Sequence, residues 1–203
     1  MLRYAITERS TLAGTETERR QALLAQAARW AIQDVAYIQM REKDLSSSEL
    51  EYLSRAVSGV IRSTGANTRL LINSRADIAL AVRADGVHLT AAPDAPTPTH
   101  IRALFAREDR PRPVVSVSCH TLEDIARARD QQADLILFGP VFGKTVAGEL
   151  VTPAAGLEAL RAACLAAGAV PVLVLGGVTA ENTPACLAAG AAGIAGIRLF
   201  TSK

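Results

Sequence analysis

The chain has 203 residues, 49% of them apolar, with 22 Lys and Arg against 20 Asp and Glu for a formal net charge of +2. That length holds one domain with a sizeable core, and the composition excludes a disordered tail. The small net charge and scattered basic residues argue against nucleic acid as the main partner, and no apolar run reaches the ~20 residues of a membrane span.

Arg3 to Thr7 reads as a short strand. Thr17 to Asp34 reads as a helix, because Leu23, Leu24, Ala27, Ala28 and Ala31 recur at helical spacing. Val35 to Arg41 is a second strand, and Ser46 with Glu49 makes a capping box for a helix that runs to Ser63. Arg69 to Asn73 is strand three, Ala76 to Val82 a short helix, and Gly86 to Leu89 strand four. A proline-rich turn from Ala91 to Pro98 leads to a helix over Thr99 to Ala106. Val114 to Cys119 is strand five and ends at His120, and Thr121 with Asp124 starts the next helix, Leu122 to Gln131. Asp134 to Gly139 is strand six, and Gly143 to Pro153 a glycine-containing loop. Ala154 to Ala167 is a helix, Val170 to Leu175 strand seven, Ala180 to Ala188 a helix and Ala192 to Ile197 strand eight.

Eight strands alternating with helices, each strand a nearly continuous apolar run, suit a parallel sheet covered on both faces. They point to an α/β fold, a closed (β/α)8 TIM barrel forming a single domain over residues 1–203, rather than an open doubly wound sheet. No eighth helix follows, because Phe200 is succeeded only by Thr-Ser-Lys. The apolar seam over strands one and eight therefore calls for cover, which predicts a homodimer. The N-terminal stretch is too short and too polar for a signal peptide, so a cytoplasmic location is expected. Cys119, Cys164 and Cys186 have no metal-like spacing. The latter two read as small core residues on helices, and alternation turns Cys119 away from the face of His120.

Barrel active sites collect at the carboxyl ends of the strands. The polar groups there are Gln39, Arg41 and Lys43 after strand two, and Asn73 and Ser74 after strand three. His88 follows on strand four, Ser118 and His120 on strand five, and Gly139 on strand six. Gly176 and Gly177 end strand seven, and Arg198 ends strand eight. Gly176-Gly-Val-Thr179 suits a phosphate, since glycine lets backbone N–H groups approach an anion and the following helix adds its positive end. Two glycines also make a plain turn. Gln39 and Arg41 fall on the same side of their strand and so share a pocket; the alternative is a solvated loop internally paired to Glu42. His120 can take or give a proton near neutral pH, or cap its own helix. His88 is a candidate for the core. No two carboxylates fall together at the mouth as a Mg2+–phosphate site needs, so no metal and no cofactor is expected.

Several motifs stand in order: Tyr4-Ala-Ile-Thr7, Ile38 to Asp44, Ile72-Asn73 with Asp77 to Leu80, Ala84 to Leu89, Ser116 to His120, Phe138 to Phe142 and Leu175 to Thr179. With them the chain resembles the thiamine phosphate synthase/TenI superfamily from end to end, apart from the last helix. The resemblance implies a (β/α)8 barrel holding a phosphorylated thiazole. Synthases of that superfamily join a pyrimidine diphosphate to thiazole phosphate with Mg2+. They look for an aspartate after the strand-three asparagine, where Ser74 stands, and another where Thr90-Ala-Ala-Pro93 stands. They also carry a threonine- and lysine-rich diphosphate loop, mostly absent from Gly143 to Ala147. TenI-like thiazole tautomerases lack those carboxylates and keep a histidine after strand five, matching His120. The resemblance therefore implies an isomerase of a carboxythiazole phosphate. His120 would be its acid–base group, with Gln39, Arg41, Lys43, Asn73, Gly139, Gly176, Gly177 and Arg198 holding substrate. The alternatives are a thiamine phosphate synthase and a non-catalytic protein that binds thiazole phosphate.

Overall fold

The computed structural model describes residues 1–203 apart from 93, 147, 148 and 201–203, with backbone alone for 144–146 and 149–152. In chain order the strands are β1 (Leu2–Ile6), β2 (Tyr37–Met40), β3 (Arg69–Asn73), β4 (Gly86–Leu89), β5 (Val114–Cys119), β6 (Leu135–Phe138), β7 (Lys144–Val146), β8 (Glu149–Thr152), β9 (Val172–Val174) and β10 (Gly193–Gly196). Eight of them close a parallel barrel in the order β1-β2-β3-β4-β5-β6-β9-β10, with β10 paired back to β1. The helices are α1 (Glu16–Ile32), α2 (Ser47–Ser63), α3 (Ala76–Ala81), α4 (Pro98–Arg107), α5 (Leu122–Asp130), α6 (Gly156–Ala167) and α7 (Thr183–Ala188). The fold is the expected (β/α)8 barrel, and among the described residues no helix follows β10.

Alternation sorts the apolar side chains into two cores. Tyr4, Ile6, Leu71, Val114, Leu135, Leu137, Leu173 and Ala195 fill the barrel interior. Their strand neighbours, such as Leu70 and Ile72, face the helices and meet Leu23, Trp30, Leu53 and Val57 in the outer layer. Each such aliphatic side chain, fully buried, contributes about 1.5–3 kcal/mol. α2 shows why its sequence is a helix: Leu50, Leu53, Val57 and Ile61 form one buried stripe. Its start is the expected capping box, in which the Glu49 N–H donates to Ser46 Oγ at 3.4 Å and the Ser46 N–H to Glu49 Oε2 at 3.2 Å. Ser46→Ala is expected to cost about 1 kcal/mol. In a chain this long that lowers Tm by about 2–4 °C, which thermal circular dichroism will read.

Three expectations change. The stretch Gly143 to Pro153 is not an open loop but holds the antiparallel hairpin β7–β8, consistent with its β-branched Thr145, Val146, Val151 and Thr152. The last helix starts at Thr183 rather than Ala180. The Thr179 N–H donates to Asn182 Oδ1 at 2.8 Å and the Asn182 N–H to Thr179 Oγ1 at 3.3 Å, so a side-chain turn occupies the preceding residues. The seam is partly covered by the chain itself. Phe200 is buried, the Trp30 indole N–H donates to the Phe200 carbonyl at 3.0 Å, and the Arg3 guanidinium lies 4.8 Å over the Phe200 ring.

Candidate functional site

Beneath the mouth of the barrel the interior turns polar. Gln39 Nε2 donates to Tyr4 Oη at 3.1 Å, Tyr4 Oη lies 3.0 Å from Ser116 Oγ, and His88 sits between Ser116 Oγ (2.8 Å) and Ser118 Oγ (2.9 Å). Donor counting assigns the hydrogens. The Gln39 amide brings a proton to Tyr4 Oη, so the Tyr4 hydroxyl donates to Ser116. The Ser116 hydroxyl then donates to His88 Nδ1, and His88 Nε2–H donates to Ser118. Burial and the charge of Arg41 push the His88 pKa down to about 3, so the ring is neutral, as this chain of bonds requires. Burial also raises the Tyr4 phenol above its ordinary range.

His120 stands above this layer at the end of β5. Its backbone N–H donates to Asp124 Oδ2 at 3.0 Å and its Nδ1 lies 2.5 Å from the Gly139 carbonyl oxygen. A carbonyl only accepts, so Nδ1 carries a proton and the ring presents Nε2 on its other side. Thr121 and Asp124, not the His120 ring, cap α5: Thr121 Oγ1 accepts from the Asp124 N–H and Asp124 Oδ2 from the Thr121 N–H, each at 3.1 Å. Cys119 on the other face is buried and its thiol is pushed up to about 12, so it is not a thiolate nucleophile.

Beside it, after β6 and β9, lies a glycine-built wall. The Gly139–Pro140 peptide is cis, and a side chain on Gly139 would run into the Leu175 carbonyl. The Val141 N–H donates to the Leu175 carbonyl at 3.0 Å and the Phe142 N–H to the Gly176 carbonyl at 3.1 Å, so the loops after β6 and β9 are zipped together. Gly176 and Gly177 have φ of 91° and 65°, and a Cβ on either would lie 2.6 Å from Pro140 or Phe142. Only glycine fits both the conformation and the space.

The remaining expected site residues spread around the rim. Gln39 is buried within the interior layer, below the rim. Arg41 is half-buried, with its N–H donating to Thr7 Oγ1 at 2.9 Å and Nη1 3.6 Å from Glu8. Lys43 is exposed, and it borders one cleft with Asn73 and Ser74. Arg198 borders a different cavity, with Glu8, Thr11 and Gln26, on the β1–β10 side. Glu42 does not pair within its own loop. It is buried against Arg9, whose Nη1 also reaches Asp44 Oδ1 at 2.7 Å and whose Nε reaches Glu16 Oε1 at 2.8 Å. The Lys144 side chain and the others of its hairpin lie outside the described residues.

Sequence reasoning missed Tyr4, Ser116 and Arg9. Parity held a signal for two of them, since Tyr4 alternates with Ile6 and Ser116 with Ser118 and His120. Arg9 lies in a turn, where no period speaks.

A family model described as thiamine monophosphate synthase matches residues 4–200. The chain belongs to the thiamine monophosphate synthase family. A thiamine-phosphate synthase of Caldanaerobacter subterraneus is 36% identical over 180 residues, which are 88% of this chain and 76% of the relative. One of Moorella thermoacetica is 37% identical over 157 residues, 77% of this chain and 70% of the relative. Among solved structures, a thiamine phosphate pyrophosphorylase from Pyrococcus furiosus superposes with a TM-score of 0.74 at 27% identity, covering 97% of this chain and 85% of its own.

These relatives of the thiamine monophosphate synthase family overturn the reading as an isomerase. They are synthases, and the similarity runs through nearly the whole barrel. The tautomerase reading leaned on missing carboxylates and on His120. In the fold, the His120 ring ties the end of β5 to the Gly139 backbone, so its presence at this position does not by itself specify acid–base chemistry. Within that family the enzymes named are transferases. No helix among the described residues is long and apolar enough to cross a membrane.

Proposed function

We propose that the chain is a thiamine-phosphate synthase, joining a pyrimidine diphosphate to a thiazole phosphate and releasing diphosphate. The observation that carries this reading is the similarity to synthases along 88% of the chain. In this reading the thiazole phosphate lies against the backbone N–H groups of Gly176 and Gly177, in the positive-φ turn that follows β9. Arg41 and Lys43 offer positive charge to the diphosphate, Asn73 a side-chain amide, and Arg198 a further cation from the β10 side. His120 Nε2 and the Ser118 hydroxyl offer an acceptor and a donor to the rings between them.

The superfamily resemblance implies Mg2+, and the donor set does not fit it. Ser74 stands where the first aspartate belongs, and no three His, Cys, Asp or Glu side chains among the described residues gather to hold a metal. The nearby carboxylates are taken up by cations: Glu8 faces Arg41, Glu42 and Asp44 face Arg9, and Asp124 faces Arg127. Neutralisation of the leaving diphosphate therefore falls to arginine and lysine.

The same donor set favours a second reading, a protein that binds thiazole phosphate without turnover. One experiment separates them. Purified protein is incubated with hydroxymethylpyrimidine diphosphate and thiazole phosphate, with and without Mg2+, and thiamine phosphate is measured. The synthase reading expects product, and a rise of at least tenfold in KM for thiazole phosphate in Gly177→Ala. Tight binding of thiazole phosphate with no thiamine phosphate under either condition establishes the second reading and sinks the first.

A further inference from the structure

We propose that the N-terminal face of the barrel, opposite the mouth, carries a second ligand site that takes a small polyphosphate-bearing anion. Two adjoining clefts of about 280 and 310 Å³ open there, and both are bordered by Arg69, Arg83 and Asp85. Arg62 borders one of them and Arg110 the other. Topology gathers these residues. Arg69 opens β3, Arg83 and Asp85 lie in the turn from α3 into β4, and Arg110 precedes β5. Arg69 has the same parity as the inward-facing Leu71 and pairs in register with Tyr37, so it stands over the barrel floor.

Several arginines elsewhere sit on carboxylates, Arg20 on Glu16, Arg55 on Glu51, Arg75 on Asp77 and Arg161 on Glu158, while others, such as Arg3 and Arg19, reach backbone carbonyls. Here Arg62 reaches only the carbonyl and hydroxyl of Ser58. Arg69, Arg83 and Arg110 have no ion-pair partner among the described residues, and the neighbouring Arg112 is paired with Asp134 at 2.9 Å. Asp85, the acid at the centre, has one oxygen committed to the Leu70 N–H at 2.8 Å. Four arginines without an ion-pair partner among the described residues thus border the two clefts together with one aspartate.

A second observation points to a missing acceptor. Arg110 Nε is buried with no hydrogen-bond partner. A buried donor is rarely left so in proteins; Arg102 Nε on α4 shares this state, and the Arg110 side chain would turn toward the cleft to give its hydrogen to an oxyanion there. Guanidinium forks match phosphate oxygens in pairs, so arginines that border a cleft in excess over its single acid suit a ligand with several phosphoryl oxygens. The clefts fall at the small end of the ~300–1,000 Å³ typical of ligand sites, and buried Phe105 and Val114 give one an apolar wall. That favours a compact di- or triphosphate compound over a nucleic acid, whose backbone needs a longer basic track.

Tripolyphosphate is the probe. The full chain is labelled with phenylglyoxal and modification is followed residue by residue by mass spectrometry, alongside calorimetric titration at low salt. The expected result is at least fivefold protection of Arg69, Arg83 and Arg110 by tripolyphosphate, and at least tenfold weaker binding at this site in the Arg69→Gln/Arg83→Gln variant. Arg55→Gln should leave binding unchanged. Unprotected arginines at saturating probe overturn the site, as does undiminished affinity in a folded double variant. Protection by an oligonucleotide but not by tripolyphosphate overturns it too. The labelling pattern of the unaltered chain decides the matter even if the double variant does not fold.

Discussion

Arg9→Ala is expected to destabilise the protein by about 3–5 kcal/mol, the cost of stranding one partner of a buried ion pair. Arg9 is 5% exposed and lies in the turn after β1. Its guanidinium binds Asp44 through both oxygens, at 2.7 and 2.9 Å, while Nη1 reaches Glu42 Oε2 at 3.1 Å. Glu42 is equally buried, and after truncation would keep only the Arg9 backbone N–H, at 3.0 and 3.2 Å. Melting should fall by roughly 6–20 °C. Adding Glu42→Gln should recover part of that loss, because it removes the stranded charge. A Tm within 2 °C of the parent would show that the cluster is worth no more than exposed pairs. The pH dependence follows from the same contacts. Arg9 hydrogen bonds hold the Asp44 and Glu16 carboxyls below their ordinary values. Their contribution is therefore complete above the ordinary carboxylate range and fades as pH falls below about 4 toward the lowered values. Because this turn and the loop after β2 carry Glu8, Arg41 and Lys43, the variant should also loosen the rim.

The second large effect is acid sensitivity beginning far above the carboxylate range. His88 titrates at about 3 when folded, because burial and Arg41 disfavour the imidazolium; in the unfolded chain it titrates near 6.5. Between those values the unfolded state holds one more proton, so stability rises with pH, and acidification removes up to about 1.4 kcal/mol per pH unit. Urea unfolding at pH 7, 6, 5 and 4 reads this directly. His88→Gln will be less stable at neutral pH but should lose the slope above pH 4, where the Asp44 and Glu16 contributions are still complete. Parallel stability curves for the parent and His88→Gln would mean that the imidazole is not held neutral by the fold.

The barrel was legible because its signals are local and periodic. Apolar runs of parallel strands, helical stripes such as Leu50-Leu53-Val57 and capping pairs such as Ser46 with Glu49 each lie within a few turns of chain. What escaped depends on distance. Tyr4 and Ser116 are 112 residues apart, and Arg9 and Glu42 are 33 apart; each pair forms only when the barrel closes. Gln39 was placed on the right face by alternation, but how deep it sits depends on the register of β2 against its neighbours. The mouth could be located from strand ends, whereas the reaction was misread by giving two missing aspartates more weight than the rest of the chain. A few altered side chains bear on rate and metal use, while descent is written across the whole barrel.

The hydrogen-bonded chain through the barrel interior has a direction. It begins with an amide proton on Gln39 and ends on Ser118, whose own hydroxyl hydrogen has no protein acceptor among the described residues. Each bond polarises the next in the same sense. Whatever settles over that serine therefore meets a terminus with a preference: an oxygen or an unprotonated ring nitrogen takes the Ser118 hydrogen, whereas an ammonium or N–H group finds one remaining lone pair and leaves that hydrogen without an acceptor.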